Sequence, residues 1–274
     1  MTGTQRRDVL GLSLDALTLD QAVARCVEAV EQDEFTAIGV VNAAKVVRMR
    51  QDVELRSAVT ECGLVLADGQ SVVWASQLLR APLPERVTGI DLFLALLAEA
   101  ESRGYRVYFI GAKPEVLTRM LATVRERFPR LAVAGARDGY FTDDQESDIA
   151  AGVHESGAQL LFLGMSSPKK ELFLRTWGER TGVNVAHGVG GSFDILAGVT
   201  NRAPAWWQRH GLEWLYRTLQ EPRRLGPRYL TTNLSFMGLV AQEFARGWRS
   251  GRASGGSGPD AGRETGTARK PPPP

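Results

Sequence analysis

The 274-residue chain is poor in several features that mark particular classes of protein. Its only cysteines are Cys26 and Cys62, and two thiols make neither a disulfide framework nor a zinc pattern, which favours a reducing compartment. The net charge is only +2, so any basic function must be local. No apolar run approaches the roughly 20 residues needed to cross a bilayer, and the N-terminus has no signal-peptide core. These absences predict a cytoplasmic protein that meets a membrane only at its surface.

Two kinds of ligand motif are also missing. No pair of aspartates occurs at positions i and i+2, the spacing that holds a divalent metal on a nucleotide diphosphate in many enzymes. His154, His187 and His210 are scattered, and only His187 falls at a strand end, where we expect it to line a cleft. No strand is followed by a complete GxGxxG, which disfavours a nicotinamide-dependent oxidoreductase. We therefore expect no metal, with lysines, arginines and backbone amides balancing any diphosphate charge.

Short apolar runs alternate with segments of helical periodicity through most of the chain. Continuous apolar runs are typical of strands that are buried on both faces of a parallel sheet. The predicted strands are Ala37–Val41, Gly63–Ala67, Arg106–Ile110, Leu131–Ala134, Gln159–Leu163 and Val183–Ala186. The predicted helices are Leu19–Gln32, Ala44–Thr60, Ser71–Leu79, Asp91–Arg103, Pro114–Phe128, Asp143–Ser156 and Pro168–Arg180. This alternation predicts an α/β fold with a doubly wound, mostly parallel sheet.

Two further regions follow the α/β domain, which we assign to residues 1–201. Residues 202–248 begin with interleaved arginines and tryptophans. A basic amphipathic helix of this kind can lie at a membrane interface or dock on its own sheet, and the pattern leaves both open. Nucleic acid is not predicted as a partner, because the basic residues are confined to one short element. Residues 249–274 are rich in Gly, Ser and Pro and are predicted to be a disordered tail.

Ligands of doubly wound sheets bind beyond the carboxyl ends of the strands. Asp68 stands at such an end and is placed for a general base, although an Asp-Gly pair can also cap the next helix. The other candidates at strand ends are Asn42 and glycines whose amides suit phosphates, with close helix–strand packing as the alternative. These glycines are Gly111, Gly164, Gly188, Gly190 and Gly191.

Two consecutive lysines, Lys169 and Lys170, stand in the first turn of the helix that Pro168 is predicted to begin. The positive end of the helix dipole disfavours cations there. Both lysines are therefore better placed to meet an anion than to stabilise their helix.

Several ordered blocks resemble the WecG/TagA/CpsF family of bacterial glycosyltransferases, from about Val40 to Tyr229. The blocks are Asn42-Ala-Ala-Lys-Val-Val, Leu66-Ala-Asp-Gly69, Glu85-Arg-Val-Thr-Gly-Ile-Asp91, Asp138-Gly-Tyr-Phe141, Gly164 with Ser167-Pro-Lys-Lys-Glu171, Gly188-Val-Gly-Gly-Ser-Phe-Asp194, Arg202-Ala-Pro204, Glu213-Trp-Leu-Tyr-Arg217 and Glu221-Pro-Arg-Arg224.

The resemblance implies a Rossmann-like, inverting, metal-independent enzyme at the cytoplasmic membrane face. It would move N-acetylmannosamine or a related sugar from a UDP-sugar to a saccharide on a polyprenyl diphosphate, in cell-surface polysaccharide synthesis. Asp68 would be the general base. The implied donor-binding residues are Asn42, Arg86, Gly111, Gly164, Lys169, Lys170, Glu171, Gly188, Gly190 and Gly191. Residues 202–248 would close over the site, with Arg217, Arg224 and Arg228 on the acceptor diphosphate.

Three positions depart from the family pattern. Val40 replaces a common threonine, Lys170 replaces a common glutamine, and Pro227 stands where a basic residue is usual. The first two changes leave glucosyl, glucuronosyl and mannosaminuronyl donors open. A non-catalytic regulator that binds nucleotide sugars is a further alternative, and assembly into a homo-oligomer is also left open.

Overall fold

The structure is a computed structural model that describes residues 5–209, 211–220 and 222–253, without the side chains at 205, 217, 223–225, 227–229 and 247–253. Its strands are β1 (Arg6–Val9), β2 (Leu12–Asp15), β3 (Thr36–Val41), β4 (Leu64–Ala67), β5 (Arg106–Gly111), β6 (Ala132–Arg137), β7 (Leu160–Gly164) and β8 (Val185–Gly188). The helices are α1 (Leu19–Glu31), α2 (Ala43–Met49), α3 (Val53–Thr60), α4 (Gln70–Leu78), α5 (Gly89–Arg103), α6 (Pro114–Arg127), α7 (Glu146–Glu155), α8 (Lys169–Trp177), α9 (Ser192–Leu196), α10 (Ala205–Arg209), α11 (Glu213–Gln220) and α12 (Pro222–Ala253). Short 3-10 turns occupy Asp143–Gln145 and Glu179–Thr181.

The central sheet is parallel and has six strands in the order β4-β3-β8-β7-β5-β6. All six correspond to predicted strands, so the α/β prediction is confirmed. An antiparallel hairpin of β1 and β2, which the sequence analysis did not predict, packs beside β4. The hairpin is fastened by Asp15, whose Oδ2 accepts the Val65 N–H at 2.7 Å and whose Oδ1 accepts the Arg6 Nε–H at 3.0 Å.

Side chains of alternate strand residues pack into separate hydrophobic cores on the two faces of the sheet. In β7, Leu160 and Phe162 join the core under α1, α5 and α6, whereas Leu161 and Leu163 join the core under α7 and α8. The outer face of β3 and β4 is covered in the same way by α2 and α3. Helices therefore lie on both faces, as a doubly wound sheet requires.

The prediction of one helix over Ala44–Thr60 is wrong, because two helices occupy this region. The first ends at Met49 and the second begins at Val53. Asp52 separates them and caps the second helix, since its Oδ1 accepts the Leu55 N–H at 2.9 Å. Satisfying an otherwise unpaired amide at a new helix start stabilises this break.

The last helices pack back on the α/β body. Phe236 of α12 is buried with residues of α2 and α4, and Leu239 and Val240 pack beside it. Helix α12 continues to Ala253, and the rest of the predicted disordered tail, 254–274, lies outside the described residues. Within the described ranges no helix combines the length and apolar composition needed to cross a bilayer.

Candidate active site

A cleft of about 1690 Å³ opens beyond the carboxyl ends of β3, β4 and β8. It is lined by residues of α2, the start of α8, α4, α11 and α12. This is the edge of the sheet where parallel α/β folds bind ligands. Seven of the residues predicted from the sequence line it: Asn42, Asp68, Arg86, Lys170, Gly188, Gly190 and Gly191.

Asp68 is held by the backbone and projects its carboxylate into this cleft. Its own N–H donates to Val41 O at 2.9 Å, which continues the pairing of β3 and β4. Its Oδ1 accepts the N–H of Gly89, the first residue of α5, at 3.0 Å, and its Oδ2 accepts Asn42 Nδ2 at 3.4 Å. The alternative that Asp68 caps the next helix is wrong for α4, whose N-cap is Gly69 without a side-chain hydrogen bond. The carboxylate remains able to accept a proton from a ligand.

Two lysines of the cleft lining, whose side chains are mostly buried, share one glutamate. Lys45 Nζ lies 2.8 Å from Glu171 Oε1, and Lys170 Nζ lies 3.7 Å from the same oxygen. Burial lowers the pKa of Lys170, and the Lys45 ammonium lowers it further, against the opposing effects of Glu171 and Asp68. Burial alone would raise the pKa of Glu171, but the two ammonium groups outweigh it and lower that pKa. Lys45 is the closer partner of Glu171, so Lys170 is the cation with room for another anion.

The glycine turn after β8 is shaped around Lys170. A Cβ at Gly188 would lie 2.9 Å from Lys170 Cδ, and one at Gly190 would lie 3.1 Å from Lys170 Nζ. Gly190 also has a φ of +53°, which side chains rarely adopt. The ammonium and the turn therefore occupy one corner of the cleft, where a backbone amide and a cation can meet the same anion.

Gly111 and Gly164, in contrast, lie outside the cleft lining. A Cβ at Gly111 would stand 2.5 Å from Gly164 C, and a Cβ at Gly164 would stand 2.3 Å from the Phe193 ring. These glycines allow the ends of β5 and β7 and helix α9 to approach one another. For this pair the structure supports close packing, the alternative that the glycine pattern left open.

Lys169 also points away from the cleft. Its Nζ donates to Phe141 O at 2.7 Å and lies 3.7 Å from the centroid of the Phe141 ring. Glu171 is buried behind the lining, where it fixes Lys45 and contacts Lys170. Of the two consecutive lysines, Lys170 therefore lines the cleft, whereas Lys169 contacts Phe141 outside the cleft lining.

Ion pairs connect the cleft to the C-terminal helices. Arg86 Nη1 donates to Glu213 Oε2 of α11 at 2.7 Å, and both side chains are mostly buried. Arg202 Nη2 contacts both Asp91 oxygens, at 2.7 and 2.8 Å. Arg202 Nε also lies 3.9 Å from Glu213 Oε1, so these ion pairs together tie the start of α11 to Arg86 and to α5.

The outer part of the cleft is apolar and partly exposed. Trp74 and Leu78 of α4, Trp214 of α11 and several residues of α12 contribute to this lining. The large apolar residues of α12 that line the cleft and stay exposed are Leu230, Leu234, Met237 and Phe244, each between 47% and 64% exposed. Their spacing along α12 places them on one stripe of the helix. The cleft therefore has a charged inner end and an apolar outer end.

A model of the glycosyl transferase WecG/TagA/CpsF family matches residues 7–250. The chain belongs to this family. As a WecG/TagA/CpsF glycosyltransferase, it is expected to take a nucleotide-sugar donor and an acceptor. The match extends from the first hairpin into α12, so both ends of the cleft lie within the family region.

Several cleft residues of this glycosyltransferase were not predicted. Lys45 stands in a quoted block, but nothing in its spacing indicated that it pairs with Glu171, which is 126 positions away. Arg202 and Glu213 were likewise assigned no contact with the α/β body. His187 was expected to line the cleft, but its side chain is fully buried beneath it. The side chains of Arg217, Arg224 and Arg228 lie outside the described residues, so their roles stay predictions.

Among the described residues, no group of three or more His, Cys, Asp or Glu side chains is arranged to hold a metal ion. The cleft instead offers ammonium and guanidinium groups beside backbone amides. Such groups can balance the charge of a diphosphate.

Proposed function

We propose that this chain is an inverting, metal-independent glycosyltransferase that uses a UDP-sugar and an acceptor carried on a polyprenyl diphosphate. The observation that carries the proposal is the Asp68 carboxylate in one cleft with Lys170 and the turn at Gly188–Gly191. A proton acceptor and an anion site in one cleft suit a displacement in which a hydroxyl attacks while a diphosphate leaves.

In the proposed step, Asp68 removes the proton from an acceptor hydroxyl. The hydroxyl oxygen forms a bond to the anomeric carbon as the bond from that carbon to the diphosphate oxygen breaks. The electron pair of the broken bond leaves with UDP, and attack from the opposite face inverts the anomeric centre. General-base assistance of this kind is worth roughly 10²–10⁴-fold in rate.

The leaving diphosphate would be stabilised at the corner of Lys170 and the glycine turn. Lys170 is only 9% exposed, and in such surroundings a charge interaction is much stronger than in water. Asn42 and Arg86 line the same inner end and are proposed to contact the donor. Arg86 would act together with Glu213, because the two are already paired.

The apolar outer end supports an acceptor with a lipid carrier. A stripe of half-exposed leucine, methionine and phenylalanine on α12 faces Trp74 and Leu78. Burying such side chains against an isoprenoid or a bilayer surface is favourable by about 25 cal/mol per Å² of apolar area. We propose that this end meets the cytoplasmic membrane face, with Arg217, Arg224 and Arg228 serving the acceptor diphosphate.

The proposed donor sugar is a hexosamine, with N-acetylmannosamine as the first candidate. Lys170 stands beside the glycine turn, so a donor that carries a carboxylate, such as a uronic acid, also suits this corner. Thermal shifts with a panel of UDP-sugars would separate these donors, because the ligand that binds most tightly stabilises the fold most.

The test is release of UDP from UDP-sugars by the purified protein on vesicles that contain a polyprenyl-diphosphate-linked saccharide. We expect Asp68→Asn to lower kcat by at least about 10²-fold, since it removes the base. Donor binding by Asp68→Asn should stay within about twofold, because asparagine can still accept the Gly89 N–H.

Glu61→Gln is the matched control, because it removes a surface carboxylate that pairs with Arg175 outside the cleft lining. This variant should turn over at the wild-type rate. Full turnover by Asp68→Asn would refute the assignment of the base, and absence of transfer by the wild type with every donor would refute the proposed function.

A further inference from the structure

His187 is a fully buried residue of β8. The core residues that precede it in this strand, Val185 and Ala186, are apolar. His187 Nε2 lies 3.0 Å from Gly89 O. A carbonyl can only accept, so Nε2 carries the proton and donates to Gly89. His187 Nδ1 is then an acceptor, and it has no hydrogen-bond partner among the described residues.

Gly89 connects this histidine to the candidate base. Its carbonyl accepts from His187, and its own N–H donates to Asp68 Oδ1 at 3.0 Å. The imidazole packs directly on the glycine, because a Cβ added at Gly89 would meet His187 Cε1 and Nε2 at 3.8 Å. One residue at the start of α5 therefore carries a hydrogen bond on each side.

We infer that His187 is a positioning residue, which fixes Gly89 so that the Gly89 N–H holds the Asp68 carboxylate in its reactive orientation. This inference rests on the proposed role of Asp68. His187 itself touches no ligand, since it is buried below the cleft.

The cost of placing a histidine here supports a role beyond packing. A buried polar atom without a partner costs about 1–3 kcal/mol, which an apolar side chain at this strand position would avoid. The bond to the Gly89 carbonyl is the one contact at this site that an apolar residue could not supply.

The His187 imidazole is neutral while it donates its hydrogen bond to Gly89. Burial lowers the pKa of His187 to about 4, against the opposing effect of its bond to Gly89. The charged groups that influence it are Lys170, Asp68 and Lys45. Above about pH 5 the imidazole therefore does not titrate, and the pH dependence of the reaction reports on other groups.

The experiment compares His187→Phe, which keeps a ring but removes the donor, with His187→Gln, which keeps an N–H of similar reach. We expect His187→Phe to lower kcat by about tenfold, because small displacements of a reacting group are costly. The acid side of its rate profile should move to higher pH, since the Gly89 N–H no longer stabilises the ionised base as well. The KM for the UDP-sugar should change by less than about twofold, and His187→Gln should recover most of kcat.

Asn184→Ala controls for stability alone. Asn184 is buried immediately before β8, but it bonds Asp33 at the far end of the strand. This variant should lose stability with an unchanged pH profile. If His187→Phe, assayed as folded protein, keeps the wild-type profile and kcat, the inference is wrong. If the wild type transfers no sugar, or Asp68→Asn turns over normally, it is the proposed function that fails.

Discussion

The inner and outer ends of the cleft are held by different forces. The inner end holds a mostly buried ionic cluster of Lys45, Lys170 and Glu171 and the Asp68 carboxylate, which accepts hydrogen bonds from the Gly89 N–H and the Asn42 side chain. At the outer end, α12 presents large apolar side chains that stay about half exposed. Groups that carry charge during a reaction need fixed partners, whereas a surface that meets lipid needs only apolar area. Under the proposed function, this difference means that the reaction and the recognition of a lipid carrier depend on separate parts of the cleft.

The largest expected effect tests the inner end. Lys170→Met keeps the aliphatic stem that packs on Gly188 but removes the ammonium. We expect kcat for transfer to fall by about 100-fold, or about 2.7 kcal/mol, because the leaving diphosphate loses a buried cation.

Lys169→Met is the matched control, since this neighbour bonds Phe141 and lies outside the cleft lining. It should lose thermal stability and keep kcat within about threefold. Equal losses of kcat in the two variants would show that the structure separates these lysines wrongly.

The next effect tests the outer end. The double substitution Leu234→Ser with Met237→Ser removes apolar area from the α12 stripe. Full burial of each original side chain against lipid would contribute roughly 1.5–3 kcal/mol of binding free energy. We expect the KM for the lipid-linked acceptor to rise at least about tenfold, and binding to vesicles to weaken in a flotation assay.

Val53→Ser, an exposed apolar residue of α3 outside the cleft lining, should change neither quantity. Donor binding should also stay unchanged in the α12 double variant. A large loss of donor affinity would mean that the two ends of the cleft are not independent.

A smaller effect is expected where the two ends are joined. Glu213→Gln removes the carboxylate charge that pairs with Arg86, but the glutamine carbonyl can still accept a hydrogen bond from the guanidinium. We expect the acceptor KM to rise about threefold, because α11 loses one of its anchors, while kcat at saturating acceptor is retained. Initial rates across acceptor concentrations would measure both, and a fall in kcat alone would instead place Glu213 in the chemistry.

The smallest effect is expected from treatment with a metal chelator. Treatment with EDTA should change the rate of UDP release by less than about twofold, because lysine, arginine and backbone amides are proposed to balance the diphosphate. Loss of activity that Mg²⁺ or Mn²⁺ restores would contradict the metal-independent mechanism.

The sheet could be predicted from the sequence because its strands are continuous apolar runs. All six were located to within about two residues at either end, apart from the shifted end of β6. The hairpin of β1 and β2 was not predicted because its strands are only four residues long and β1 begins with three consecutive charged residues. The desolvation cost of its buried Asp15 is offset by hydrogen bonds from Arg6 in the same hairpin and from Val65, which is 50 positions away. The second contact leaves no local sequence pattern.

The site was predictable where position along a strand decides geometry. The ends of β3, β4 and β8 supplied Asn42, Asp68 and the glycine turn. Lys169 and Lys170 were not separable in sequence, because consecutive residues of a helix point in different directions and the helix orientation was unknown. The burial of His187 was missed for a related reason, since a polar residue at a strand end suggests a cleft wall rather than the layer beneath.

The N–H of Asp68 still donates to Val41 O, so the candidate base is attached to the last rung of the sheet rather than to a loop. Its backbone placement is set by the pairing of β3 with β4, and Phe236 is the α12 residue buried in the same core. The exposed side chains of the C-terminal helices can therefore vary without displacing the base. If the proposed function holds, the carrier that is recognised is free to diverge in an evolving lineage while the reaction is inherited unchanged.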